Sequence, residues 1–215
     1  MTKVKVCGMT NLADAEHAAS HGAWAIGLIH HPDSPRYVRP EVAEEIGAAL
    51  KRRCEIAGVF VNSTLDEVID AADRENLTLL QLHGEEGPAF CVEAARRTGA
   101  RVIKAMRVTS AADVQAAEAF RTDFHLFDAY WHGIHGGTGQ AFDWDLVAKR
   151  RSKVPMILAG GLTAENVAGA IELVRPFAVD VVSGVEAEPG RKDHAKVEAF
   201  LEAVGVELPS RAASG

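Results

Sequence analysis

Short apolar runs alternate with longer mixed stretches along the whole chain. Lys3–Cys7 reads Lys-Val-Lys-Val-Cys, a period of two that sets Lys3, Lys5 and Cys7 on one face of a strand and Val4 and Val6 on the other. Thr10 or Asn11 then caps a helix running to His21, where Gly22 suits a C-terminal stop. The apolar run Trp24–Ile29 predicts a second strand, Pro40 opens a helix to about Arg53, and the β-branched Ile56–Val61 predicts a third strand. The rhythm continues with helix Leu65–Arg74, strand Thr78–Leu82, helix Pro88–Thr98, strand Arg101–Met106, helix Ala111–Ala119 and strand Phe124–Phe127. Helix Trp144–Lys149, strand Pro155–Ala159, helix Ala164–Val174, strand Ala178–Val182 and a helix over about Asp193–Val204 complete it. About eight strand–helix units predict an α/β fold, a single-domain (β/α)8 TIM barrel over residues 1–205, with an open doubly wound sheet as the alternative. Residues 206–215 are expected to form a frayed C-terminal tail, its end from Leu208 being mostly small and polar.

Composition narrows the function classes. Of 215 residues 47% are hydrophobic and 25% charged, enough apolar material for a substantial core. The formal charge of -7, with acids spread along the chain, gives no basic surface for nucleic acid or membrane, so neither is expected as a partner. Three widely spaced cysteines argue against a disulfide framework. No apolar stretch reaches the roughly 18 residues of a membrane span, and MTKVKVCGMT lacks the apolar core of a signal peptide. A cytoplasmic location is the expectation.

In such a barrel chemistry gathers at the C-terminal ends of the strands, and the unusual residues fall there. Cys7-Gly8 ends the first strand, His30 and the Ser34-Pro35-Arg36-Tyr37-Val38 turn follow the second, and Asn62 follows the third. Gln81-Leu82-His83-Gly84 ends the fourth, Asp128 the sixth, Gly160-Gly161 the seventh and Ser183-Gly184 the eighth. Glycines let backbone N–H groups approach an anion, so the pairs after strands seven and eight predict a phosphate cradle, with the helix expected at Ala164 adding its N-terminal dipole. Gly136-Gly137-Thr138-Gly139 adds a third wall or a mobile lid. Lys5, on the face of Cys7, is expected to lower the thiol pKa, and Gly8 to leave the sulfur accessible. Asp128 shares the face of Phe124 and Leu126, and an inward carboxyl under apolar neighbours suits a general acid. Arg36, stiffened by Pro35, can grip a planar carboxylate. His30, His31, His83, His132 and His135 raise the question of metal, but neither HExxH nor CxxC spacing occurs, and no metal is expected. Lys104 leaves a Schiff-base aldolase open as a rival, and a phosphosugar-binding barrel without turnover is a second.

Val4-Lys5-Val6-Cys7-Gly8-Met9-Thr10, Ser34-Pro35-Arg36-Tyr37-Val38, Gln81-Leu82-His83-Gly84-Glu85, Gly136-Gly137-Thr138-Gly139 with Phe142-Asp143-Trp144, Ala159-Gly160-Gly161-Leu162 with Asn166-Val167, and Ser183-Gly184-Val185-Glu186 with Lys192-Asp193 occur in this order. Together they resemble the phosphoribosylanthranilate isomerases of tryptophan biosynthesis, over Lys3 to about Val204. The resemblance implies a barrel that performs an Amadori rearrangement of N-(5'-phosphoribosyl)anthranilate without a cofactor. It implies Cys7 as general base, Asp128 as general acid and Arg36 on the anthranilate carboxylate, with His83, Gly136, Gly137, Gly160, Gly161, Ser183 and Gly184 binding substrate. The partner is then a small phosphorylated sugar-anthranilate, and the chain a monomer or homodimer. Two departures stand out. Leu28-Ile29-His30-His31-Pro32 replaces an aromatic and polar run, which alters the expected wall around the anthranilate ring, and Val182 stands where a serine is expected before Ser183-Gly184.

Overall fold

The computed structural model describes residues 1–128 and 144–208. Eight parallel strands close into a barrel: β1 Lys3–Cys7, β2 Ala25–Ile29, β3 Glu55–Phe60, β4 Leu79–Leu82, β5 Arg101–Arg107, β6 Phe124–Asp128, β7 Met156–Ala159 and β8 Ala178–Val181. Each bonds to its successor and β8 returns to β1, with Lys5 in register with Asp180. That closure excludes the open doubly wound sheet. The helices α1 Leu12–Ser20, α2 Pro40–Leu50, α3 Leu65–Arg74, α4 Pro88–Thr98, α5 Ala111–Ala116, α6 Trp144–Ala148, α7 Val167–Val174 and α8 His194–Val204 alternate with the strands. Among the described residues no helix is long and apolar enough to cross a membrane.

Strand alternation splits the core in two. Val4, Val6, Ile26, Leu28, Ile56, Leu80, Val102, Leu158 and Val179 point out and pack with the apolar faces of the helices. Ala25, Ala57, Leu79, Ile103, Phe124, Leu126, Ile157 and Ala178 point in and fill the barrel. At the N-terminal mouth Trp24, Phe124 and Phe177 meet with ring centroids 5.2 to 5.7 Å apart, which plugs that end and leaves open the end where the strands finish.

Helix starts follow local chemistry. Asn11 Oδ1 accepts from Asp14 N, Thr64 and Glu67 form a capping box, Pro40 and Pro88 sit in first turns, and Asp193 accepts from Lys196 N. Helix ends depart from expectation. α2 stops at Leu50, not Arg53, because Lys51 leaves the helical region and Arg52 turns at φ 67. α7 starts at Val167, not Ala164, because Asn166 holds the preceding turn apart, accepting from Thr163 N and donating to the Gly161 carbonyl. A short antiparallel hairpin, β9 Glu186–Glu188 with β10 Arg191–Lys192, was not anticipated, although Pro189-Gly190 between its strands is a turn signal. Val206 and Leu208, placed in a frayed tail by sequence, instead pack against the core, because apolar side chains just past α8 have core surface to cover. Residues 209–215 of that tail, like Gly136-Gly137-Thr138-Gly139, lie outside the described residues.

Candidate active site

A cavity of 420 Å³ opens at the C-terminal end of the barrel. Its lining includes Cys7 from β1, Arg36 from the turn after β2, Gln81 and His83 from the end of β4, Leu126 and Asp128 from β6, Gly160 and Gly161 after β7, and Asp180, Val182, Ser183 and Gly184 from β8 and beyond. Every residue that the resemblance implies as catalytic or substrate-binding is therefore here except Gly136 and Gly137, which lie outside the described residues. His30 is not among them. Its ring stacks on Phe60 at 4.8 Å and its Nε2 lies 3.1 Å from Oε2 of buried Glu75, so the unusual Leu28–Pro32 run reaches the cavity through Ile29 instead.

Cys7 overturns part of the expectation. The side chain is only 3% exposed, and burial pushes the thiol up, Lys5 and Lys192 pulling it down and Asp180 adding to the rise. Lys5 pulls the thiol down without prevailing over burial, and its Nζ also donates to Asp180 Oδ1 at 3.0 Å inside the barrel, which brings that carboxylate close to the sulfur as well. Burial opposes the charge on Lys5, and Asp180, then Cys7, outweigh it and hold the lysine above its ordinary value. Asp180 was missed in the sequence, although an acid at an inward position of the apolar Ala-Val-Asp-Val run is a readable signal. Only a thiolate is alkylated, so loss of activity to iodoacetamide is expected to be slow at pH 7 and to climb about tenfold per pH unit. It should still be climbing at pH 9.0, the ordinary thiol value, and a rate that levels near neutral pH would contradict this burial effect.

Asp128 stands at the rim with its side chain 28% exposed, its Oδ2 lying 3.9 Å from His83 Nε2. Gln81 Nε2 meets His83 Nδ1 at 3.2 Å, and burial holds His83 below its ordinary pKa, so its imidazole is neutral at pH 7. The turn carrying His83 is braced from outside the cavity. Glu86 accepts from Asn62 N, Gly84 N and Lys104 Nζ at 2.7, 2.8 and 3.0 Å, and Lys104 Nζ also donates to the Gly84 carbonyl at 2.6 Å. Lys104 is thus buried in an ion pair and absent from the cavity lining, which disfavours the Schiff-base rival.

Arg36 is held rigidly by the hairpin. Its Nε and Nη2 donate to Oε1 and Oε2 of Glu186 at 2.8 and 2.7 Å, a bidentate fork, and Ser34 Oγ accepts from Arg36 N at 3.1 Å. Glu186 in turn accepts from Lys192 Nζ and Gly190 N at 3.2 Å each. Burial works against the Glu186 charge, but the Arg36 and Lys192 contacts hold its carboxyl below the usual range. Lys192 Nζ also donates to the Val182 carbonyl at 3.1 Å. Glu186 and Lys192 were visible in the sequence only as members of a motif.

The two glycine pairs of the lining adjoin. Gly160 and Gly161 turn at φ 102 and 62, where a side chain would be strained. Ser183–Val185 forms a 3-10 turn after β8, and a Cβ on Gly184 would lie 2.0 Å from the Leu162 carbonyl oxygen. Loops after strands seven and eight with a short extra helix are a recurrent phosphate site of such barrels. The helix dipole expected at Ala164 is displaced, however, since α7 starts at Val167.

A closed parallel barrel with titratable groups and a glycine-lined recess at its C-terminal face defines a (β/α)8-barrel enzyme. Residues 4–203 match the family model described as N-(5'phosphoribosyl)anthranilate (PRA) isomerase. Over 201 residues the chain is 46% identical to the N-(5'-phosphoribosyl)anthranilate isomerase of Geobacter metallireducens, covering 94% of this chain and 98% of that relative. The crystal structure of the phosphoribosyl anthranilate isomerase of Thermotoga maritima superposes with a TM-score of 0.85 at 41% identity, covering 95% of this chain and 99% of that one. A phosphoribosyl anthranilate isomerase in complex with reduced 1-(o-carboxyphenylamino)-1-deoxyribulose 5-phosphate has a TM-score of 0.81 at 40% identity, covering 95% and 100%. The chain belongs to the phosphoribosylanthranilate isomerase family, isomerases of tryptophan biosynthesis.

Proposed function

We propose that this cavity converts N-(5'-phosphoribosyl)anthranilate to 1-(2-carboxyphenylamino)-1-deoxyribulose 5-phosphate, with Cys7 as general base and Asp128 as general acid. Asp128 gives a proton to the ribose ring oxygen as the C1–O bond breaks and the anilino nitrogen lone pair forms a C1 iminium. Cys7 then takes the C2 proton, the C–H electrons make a C1–C2 double bond, and the iminium is neutralised. The resulting enol becomes a ketone as its hydroxyl proton is lost and C1 is protonated. No electron leaves the substrate, so the residues named suffice. Cys7 enters this step as the thiolate, its own proton having passed to solvent; burial opposes that form, and the iminium charge developing beside it offsets the opposition, because opposite charge favours thiolate in a low-dielectric pocket.

Arg36 supports the carboxylate end of this reading. A guanidinium carries five N–H donors, and Glu186 takes two, which leaves a second edge aligned for the anthranilate carboxylate. The phosphate is assigned to Gly160-Gly161 and Ser183-Gly184, and Val182 removes one hydroxyl contact there. In Gly184→Ala the new methyl meets backbone and the recess must shift, so KM is expected to rise about tenfold, roughly 1.4 kcal/mol, with inhibition by inorganic phosphate weakened in parallel. An unchanged KM and unchanged phosphate inhibition would move the phosphate elsewhere.

The observation that carries the proposal is the convergence of thiol, carboxyl, guanidinium and both glycine pairs on one cavity. Its test is the loss of anthranilate fluorescence as freshly generated phosphoribosylanthranilate is consumed. No turnover above the spontaneous decay of the substrate would overturn it. Phosphate-ligand binding without turnover would then favour a non-catalytic phosphosugar-binding barrel.

A further inference from the structure

Helices α1 and α8 flank the seam where the last strand closes on the first, and they bring three ligand-type side chains together away from the catalytic cavity. His17 of α1 and His21, which caps that helix at its C-terminal end, are four apart and so share a face, and Glu198 of α8 faces both. His17 Nε2 lies 3.4 Å and His21 Nε2 3.8 Å from the same oxygen, Glu198 Oε1, and the three ligand atoms all fall within 4.8 Å of one another. Zinc bonds of about 2.0–2.1 Å in tetrahedral array space neighbouring ligands about 3.3–3.4 Å apart, so small rotations of these partly buried side chains close the set.

The imidazoles are also in the form a metal requires. His21 Nδ1 sits 2.8 Å from the His17 carbonyl oxygen, an acceptor, so that nitrogen carries the hydrogen and Nε2 keeps its lone pair. His17 Nε2 is buried and makes no hydrogen bond, although Glu198 is near. The His17 ring is stacked at 3.9 Å on His194, whose own Nε2 is fixed by Asp14 Oδ1 at 2.9 Å.

We infer that His17, His21 and Glu198 form a divalent transition-metal site, suited to Zn²⁺, that clasps the first helix of the barrel to the last. Two imidazoles and a carboxylate are a borderline-soft set that favours zinc over calcium or magnesium, with water completing the tetrahedron. None of the three lines the cavity, so the site acts on stability and leaves turnover alone.

Calorimetric titration of chelator-stripped protein with ZnCl₂ is expected to show one equivalent bound, and Co²⁺ at the same site to give the visible bands of a tetrahedral ion. His17→Ala and His21→Ala should each weaken Zn²⁺ binding at least tenfold, and His21→Gln should do the same if the alanine variant folds poorly. At a hundredfold excess of Zn²⁺ over its dissociation constant the melting temperature should rise roughly 5–10 °C in the parent protein and not in the variants. Absence of Zn²⁺ binding, or binding of unchanged affinity in the variant carrying both His17→Ala and His21→Ala, would overturn the assignment.

Discussion

Cys7→Ser is expected to lower kcat/KM by about a thousandfold or more, within the range that loss of a positioned acid or base produces. A serine hydroxyl matches the thiol in size, yet it ionises far less readily in a site that already burdens a thiolate by burial. Asp128→Asn should be comparably severe, because an amide keeps the shape and hydrogen-bonding capacity of the carboxyl while offering no acidic proton. The double variant should be little worse than either single one, since groups that act on one proton path fail as a unit. The decisive measurement is kcat/KM with freshly generated phosphoribosylanthranilate, paired with the affinity of a reduced product analogue, which should stay within a few-fold. Activity of Cys7→Ser within about tenfold of the parent would remove the thiol as base and direct attention to Asp180, which lines the same cavity.

Lys5→Met is expected to destabilise the protein by about 3–5 kcal/mol, because the Asp180 carboxylate is left in the barrel interior without its partner. The melting temperature should fall by roughly 6–20 °C. Lys5 and Asp180 are 0% and 5% exposed, so water cannot replace the lost ammonium. The pH dependence has a definite sign. Lys5 is raised in the fold above its ordinary 10.5, so its contribution is fully present below that value and is lost as pH rises through the higher folded value. In Lys5→Met the penalty should instead shrink as pH falls and Asp180 takes up a proton. Adding Asp180→Asn at neutral pH should recover part of the loss. A Lys5→Met protein melting within about 2 °C of the parent would show that the pair contributes little.

The alternation in Lys-Val-Lys-Val-Cys was sufficient to place Lys5 and Cys7 inside and Val4 and Val6 outside, and among the described residues the eight barrel strands and the eight α-helices between and after them were legible as apolar runs and cap signals. Their ends were less so, since the stop of α2 depends on Arg52 adopting φ 67 and the start of α7 on Asn166 reaching back to Gly161. A period of two or a capping asparagine acts over a few residues, and sequence order preserves that range. Cys7, Asp128 and the glycine pairs could be expected at one end of the barrel for the same reason, each being the last residue of its strand or among the three that follow it.

What surrounds those residues belongs to tertiary structure alone. The Cys7 thiol answers to burial and to Asp180 as well as to Lys5, and Asp180, 175 positions from Lys5, accepts from the same ammonium. Arg36 owes its fixed fork to Glu186, 150 positions on, and the His17, His21 and Glu198 cluster joins the first helix to the last. Ionisation responds to burial and to charges within a few ångströms, and such neighbours are assembled only when β8 closes on β1. The amino-acid order by itself determined the barrel and which residues face its open end. Closure of the barrel decided their charge, their partners and their reach.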